Sequence, residues 1–427
     1  MPGIVLKNIY KLMEKTTIES PAFTSHQKII IAILALLQFT VILDFMVISP
    51  LGDILMKTLD MTTSNFGFAV SAYAFSAGIS GLLAAGFADK FDRKKLLIFF
   101  YIGFIIGTVF CALSTGYIML LMARIVTGLF GGVIGSISLA IVTDLFVIQQ
   151  RGRVMGVIQM AFATSQILGI PVGLYFANNW GWHSAFIMIA VLAVLILIAV
   201  FTQMPAITKH LELQSDKSPF LHLWHTISNK QYQVGFAAIA FLSVGGFMLQ
   251  PFGSAFLVNN IHISQLELPM VFFFTGLSVL FIMPIIGKLS DKVSKFKLFA
   301  AGSAISVVII IIYTNLGPVP LWQIVGLTMI MFMGIMSRMI PATTLNTAIP
   351  EMKDRGAYMS ITSSLQQIAG GIAAVCAGFI VHQKTKTSPL EHYDILGYVI
   401  AVVTLFTVFL IWRVDQLAKK KAKDLIA

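Results

Sequence analysis

The chain is a succession of apolar stretches, each long enough to cross a bilayer, joined by short polar links. They fall at 29–54, 65–88, 96–114, 117–145, 153–178, 182–203, 233–258, 267–289, 297–314, 320–348, 358–382 and 393–412. A helix needs about 20 mostly apolar residues to span the hydrocarbon core of a membrane. Backbone groups in lipid must be satisfied within their own segment, so such runs are helices. They are too long and too evenly apolar for barrel strands. Hydrophobic residues make up 57% of the chain and charged residues 11%, against about 25% charged in a soluble domain. The expected fold class is an all-α membrane protein of about twelve spans.

The formal net charge is +11. In a soluble protein that would point to nucleic acid. Here the placement of the charges gives a different reason. When the spans alternate sides from an inner N-terminus, 24 of the 29 Lys and Arg fall on the inner face, 3 on the outer face and 2 inside spans. That is the positive-inside pattern of a protein in a plasma membrane, with both termini expected in the cytoplasm. Nucleic acid is not an expected partner. Membrane lipid is, and Lys419, Lys420, Lys421 and Lys423 are expected to face anionic headgroups. The first apolar run is long enough to span and lacks a small-residue cleavage pattern, so it reads as a helix and not as a removed leader. Residues 4–13 read equally as a short surface helix or a plain tail.

Several function classes drop out. Cys111 and Cys376 both lie in apolar runs and read as packing residues, with no disulfide framework. No Gly-rich phosphate loop appears, so ATP is not the expected energy source. All eight histidines fall in loops or at span ends. Neither a metal nor a cofactor is expected. Of eighteen acids, only Asp44 reads as deep within a span, which leaves no carboxylate pair for acid–base chemistry. An enzyme or receptor is the remote alternative.

The two halves of the chain repeat. Pro50-Leu51-Gly52 recurs as Pro251-Phe252-Gly253, and Asp89-Lys90 as Asp291-Lys292. Arg151-Gly152 recurs as Arg355-Gly356, and Gln166-Ile167-Leu168-Gly169 as Gln367-Ile368-Ala369-Gly370. The offsets are 201, 202, 204 and 201. A repeat at nearly constant spacing means two similar structural units. The expected division is a tail at 1–28, a six-helix bundle at 29–203, a linker at 204–232, a second bundle at 233–412 and a basic tail at 413–427. Duplicated bundles of this kind place a substrate site between them, near mid-membrane.

The loop after the second span reads Gly86-Phe87-Ala88-Asp89-Lys90-Phe91-Asp92-Arg93-Lys94-Lys95. It resembles the signature loop of the major facilitator superfamily, G-x-L-A-D-R-x-G-R-R, with Ala85 and Asp92 where glycines are expected. The repeat Gly287-Lys288-Leu289-Ser290-Asp291-Lys292 keeps the first glycine. The fourth span carries Arg124-Ile125-Val126-Thr127-Gly128, which resembles the R-x-x-x-G element of proton-coupled drug exporters in that superfamily. The fifth carries Gly169-Ile170-Pro171-Val172-Gly173, a shortened likeness of their antiporter motif and, physically, a helix bend. Trp180-Gly181-Trp182-His183 resembles the aromatic start of the sixth helix, and alone reads as part of an interfacial aromatic belt.

The resemblance implies two pseudo-symmetric six-helix bundles, alternating access, and a monomer. It implies a charge latch at the inner gate made by Asp89, Arg93 and Asp144. Residue counting adds a second feature. Asp44 and Arg124 enter their spans from the same side to a similar depth, and the resemblance implies that the first and fourth helices both line the central cavity of the first half, so a pair is geometrically possible. An intramembrane charge usually faces a cavity or a partner. With Arg124 near, Asp44 stays ionised; with the two separated, it takes a proton. A static packing pair is the alternative. Arg338, Gln166, Gln250, Gln366, Gln367 and Tyr73 are candidate cavity contacts, and Met and Phe are abundant enough for an adaptable apolar pocket. The expected function is proton-coupled export of small amphipathic molecules. Proton-linked nutrient uptake and movement of a lipid-like solute are the alternatives.

Overall fold

A computed structural model describes residues 22–84, 87–208, 211, 219–351 and 354–424. The surface-helix reading of residues 4–13 and linker residues 209, 210 and 212–218 lie outside these.

In the first half, α1 spans Ser25–Val47, α2 Gly52–Thr58, α3 Thr63–Ala84, α4 Arg93–Ala112 and α5 Tyr117–Leu145. The fifth span is α6 Ile148–Thr164, a π-helical turn at Ser165–Gly169, and α7 Ile170–Trp180. It is followed by α8 His183–Gln203. After α9 Pro219–Ser228, the second half runs α10 Lys230–Phe247, α11 Gly253–Asn259, α12 Leu268–Lys292 and α13 Lys295–Thr314. It ends with α14 Leu321–Thr347, α15 Arg355–Ile380 and α16 Tyr393–Asp424.

Among the described residues, eleven helices are long and apolar enough to cross a membrane. The exception is the predicted span 233–258. It is divided into α10 and α11 by a turn at Met248–Phe252, and the polar Lys230, Gln231 and Gln233 open its first part. The predicted span 29–54 is divided likewise between α1 and α2. Both breaks fall at the repeated proline. Pro50 and Pro251 donate no backbone hydrogen bond and disfavour helix in the residue before them. Hydropathy does not register either fact.

Local chemistry sets the helix ends. Thr24 and Gln27 form a capping box on α1. Asp92 caps α4 by accepting from Lys94 N at 2.8 Å, and also accepts from Ile207 N at 3.1 Å. An aspartate in the signature loop's glycine position thus ties the segment after α8 to the start of α4. Arg151 donates to Phe146 O and Thr143 O, closing the C-terminal end of α5. Gly181 sits at φ +84, a backbone region that favours glycine. It turns the chain so that His183 meets Ala112 O, at the end of α4, at 2.7 Å.

The packing forms two bundles. α3, α4 and α5 pack together, with α1 against α6 and α8; α13 packs on α14 and α16, with α10 against α15 and α16. Two seams join the bundles: α3 along α15, and α12 along the α6–α7 segment. The α3–α15 seam is lined by glycine on both sides. A Cβ on Gly67 would lie 2.7 Å from Ala374 O, and one on Gly378 2.9 Å from Thr63 O. We call the end holding the α1 N-terminus the basic end. At the opposite end one apolar cluster runs through both bundles, from Leu43 and Leu55 to Phe256 and Ala377. At the basic end each bundle keeps its own cluster, one around Phe100 and Ile137, the other around Phe236 and Tyr358. The bundles are therefore closed together at the opposite end and, away from the α3–α15 seam, parted at the basic end.

Candidate functional site

The parting encloses a cavity of about 360 Å³, within the range of about 300–1,000 Å³ common for small-molecule sites. α1 contributes Phe45 and Met46; the two proline turns contribute Ser49, Pro50 and Gln250. Gln166 comes from the π turn, and Gln366 and Gln367 from α15. The four candidate glutamines, Gln166, Gln250, Gln366 and Gln367, all line it. The repeated Gln of the fifth and eleventh spans faces the same space from both bundles.

The π turn explains how Gln166 reaches it. Pro171 supplies no N–H to the turn before it, and the helix widens at Ser165–Gly169. Gly169 then packs on Leu43, and Gly173 on Val47. The Gly169–Pro171–Gly173 motif is a local widening that lets α1 approach closely. On its other side the same turn receives Gly276 of α12, where a Cβ would lie 2.9 Å from Gln166 C and Ile167 N.

Two predicted cavity residues are elsewhere. Arg338 is 1% exposed and does not line the cavity. Its guanidinium lies 5.5 Å from the ring centre of Phe299 on α13, and its Nε and Nη2 meet no hydrogen-bond partner. Residue counting gives depth along α14 but not the direction around it. Tyr73 also faces away, placing its ring 4.6 Å from the Arg124 guanidinium.

Asp44 and Arg124 are brought together. Arg124 Nη1 donates to Asp44 Oδ2 at 2.8 Å, and both side chains are fully buried. The same nitrogen donates to the Asp44 carbonyl at 3.2 Å, and Thr108 Oγ1 donates to Asp44 Oδ1 at 3.2 Å. Gly128, one turn after Arg124, lacks a Cβ and so leaves room for Tyr73 O and Ser76 Oγ of α3, which brings α3 close to α5 beside the pair. The pair lies inside the first bundle. Asp44 precedes Phe45 and Met46, so adjacent residues of α1 face the ion pair and the cavity.

At the basic end, Arg93 Nε donates to Asp144 Oδ2 at 3.2 Å and Arg93 Nη1 to Ala88 O at 3.0 Å. Asp89 lies on the short helical turn Ala88–Lys90, and its side chain is outside the description. The basic tail has protein partners of its own. Lys421 donates to Ile349 O and Pro350 O, just past α14, and Lys419 pairs with Asp415 at 2.6 Å. Lys423's side chain is outside the described residues.

One constellation escaped the sequence reading. Asp53, on α2, is 1% exposed. It accepts from Asn259 Nδ2 at 2.6 Å, from Lys57 Nζ at 2.8 Å and from Gln265 Nε2. Lys57 Nζ also reaches Asn259 Oδ1 at 3.2 Å, and Ser254 Oγ donates to Ser49 O at 2.8 Å. This polar knot crosses between the bundles at the opposite end. Asp53 lies at the edge of an apolar run and reads as interfacial. The signal available was its place three residues after the repeated proline.

The match to known proteins agrees with this architecture. Residues 34–374 match the family described as Major Facilitator Superfamily. The chain is 24% identical over 381 residues to the "Uncharacterized MFS-type transporter YbcL" of Bacillus subtilis, covering 89% of this chain and 95% of the relative. It is 30% identical over 162 residues to a "Probable sugar efflux transporter" of Haemophilus influenzae, covering 38% and 41%. The crystal structure of a D-xylose-proton symporter superposes with a TM-score of 0.72 at 17% identity, over 90% and 97% of the two chains. With two helical bundles around a central cavity and a family match over most of its length, the chain belongs to the major facilitator superfamily of membrane transporters.

Proposed function

We propose that the chain exports small amphipathic molecules across a bacterial inner membrane in exchange for protons, by alternating access. The basic end is the cytoplasmic end, which makes this structure the inward-facing state. The carrying observation is the buried Asp44–Arg124 pair on the helix that also lines the cavity. Breaking a buried ion pair by removing one charge costs about 3–5 kcal/mol. Protonating Asp44 removes one charge, so proton exchange requires α1 and α5 to shift relative to each other. Phe45 and Met46 move with that helix, which links proton occupancy to the shape of the cavity. The Asp89, Arg93 and Asp144 group serves as the inner gate, fastening the cytoplasmic side when the outer knot opens. Efflux is supported by the Arg124–Gly128 and Gly169–Pro171–Gly173 motifs and by the efflux names of the partial relatives. The domain boundaries read from the sequence, and a monomeric assembly, belong to the same reading.

The test is substrate-induced proton movement in everted membrane vesicles, read with an internal pH dye. Wild type and Asp44→Asn are run side by side against a panel of neutral, cationic and sugar-like compounds. Proton release on addition of a subset of compounds, absent in Asp44→Asn, is the expected result. Proton movement of the opposite sign indicates symport and therefore uptake, the second reading, which the xylose symporter's fold accommodates. An Asp44→Asn response equal to wild type places coupling elsewhere.

A further inference from the structure

The cavity is unusual in what its wall lacks. None of the described residues lining it is charged. Its polar groups are hydroxyls and the amides of Gln166, Gln250, Gln366 and Gln367. Among the described residues those four amides meet no hydrogen-bond partner in the protein. Gln166 is 5% exposed as a residue, and its amide lines the cavity. Each amide offers both donors and an acceptor to whatever occupies the cavity. The site is thus set to gain from a ligand that brings its own donors and acceptors.

The two buried arginines do not alter this. Arg124 is compensated by Asp44 inside the first bundle, and Arg338 faces Phe299 on α13 and does not line the cavity. The wall presents no counter-charge to a cation or an anion. Taking an ion out of water is strongly unfavourable when no partner charge receives it. The aromatic faces of Phe45, Phe162, Phe247, Phe272 and Phe332 offer a cation only the weaker attraction of a ring. Desolvation outweighs that.

We propose that the transported molecule is electrically neutral: an apolar body bearing carbonyl, amide or hydroxyl groups that pair with the cavity glutamines. This rests on the transport reading above and names its substrate class. It has a consequence for energetics. Exchange of a neutral molecule for a proton moves net charge, so the membrane potential drives transport as well as the pH gradient.

The test uses three congeners of one aryl amide: the neutral parent, a trimethylammonium derivative and a carboxylate derivative. Binding to the purified full-length protein is measured directly, followed by transport in proteoliposomes with and without a valinomycin-imposed potassium potential. The neutral congener is expected to bind at least about tenfold more tightly than either ion. Its transport is expected to accelerate when the potential drives protons in the coupled direction. Gln250→Glu should move the preference toward the trimethylammonium congener. Equal or tighter binding of either ion by wild type overturns the proposal, and that measurement needs no variant to fold. Preferential neutral binding with transport indifferent to both pH gradient and potential upholds the substrate class and defeats proton coupling instead.

Discussion

Arg124 acts on α1 twice, as the counter-ion of the Asp44 carboxylate and as a donor to the Asp44 carbonyl near the end of the helix. The carbonyls of a helix's last turn lack intrahelical partners, and a nearby cation suits them. Arg124→Ala should therefore be worse than Asp44→Asn. Both variants leave one buried charge unpaired, at a cost of about 3–5 kcal/mol; Arg124→Ala also removes the donor to the Asp44 carbonyl, which Asp44→Asn keeps. Thermal unfolding of the purified variants checks this, and equal midpoints for the two would argue against the cap. Combining Asp44→Asn with Arg124→Gln should recover much of the loss. The pair was legible in the sequence because charges are rare in spans and both lay at one depth. Arg338 and Tyr73 were not, since in a helix apolar nearly all round no polar stripe reports which way a side chain faces.

At the scale of elements, each bundle's first span is a broken helix. The break at Met248–Phe252 puts Gln250 into the cavity, and the break at Ile48–Leu51 starts the short helix that carries Asp53. A hydropathy window averages over two prolines and sees one continuous run, so the knot around Asp53 was invisible until the chain was folded. Asp53→Ala should loosen the opposite end. A Phe252→Cys probe, buried in the parent, should then react faster with a membrane-impermeant maleimide. The expected gain is about tenfold, the worth of one charge-assisted hydrogen bond; an unchanged rate would mean that the apolar cluster alone holds that end. The π turn makes a separate prediction. Gly276→Val would drive methyl groups into the backbone of Gln166 and Ile167, spreading α12 from the fifth span. Transport should fall sharply, by about tenfold or more, while the protein still inserts. Normal transport would show that this contact is slack. The fifth-span motif was legible as a bend, but not as a π turn, which depends on the geometry of α1 and α12.

At the scale of the whole molecule, span positions and the duplication were readable because lipid imposes length and the repeat kept its spacing. The placement of charge carries a prediction of its own. Lys386, in the loop before α16, should be reachable from outside as Lys386→Cys in intact cells, and Lys297→Cys should not. Labelling with an impermeant reagent decides it, and the reverse pattern would invert the proposed orientation.

Under the alternating access proposed above, the glycine-lined seam between α3 and α15 would serve as a fulcrum. α3 has 22 residues, which makes it about 33 Å long at 1.5 Å per residue. A tilt of about 10° around its middle carries each tip roughly 3 Å, and the two tips travel in opposite directions. A lever pivoted at its centre cannot lift both arms. The rotation that spreads one mouth of the molecule closes the other, so exclusion of a straight-through leak is a matter of mechanics before any latch is fastened.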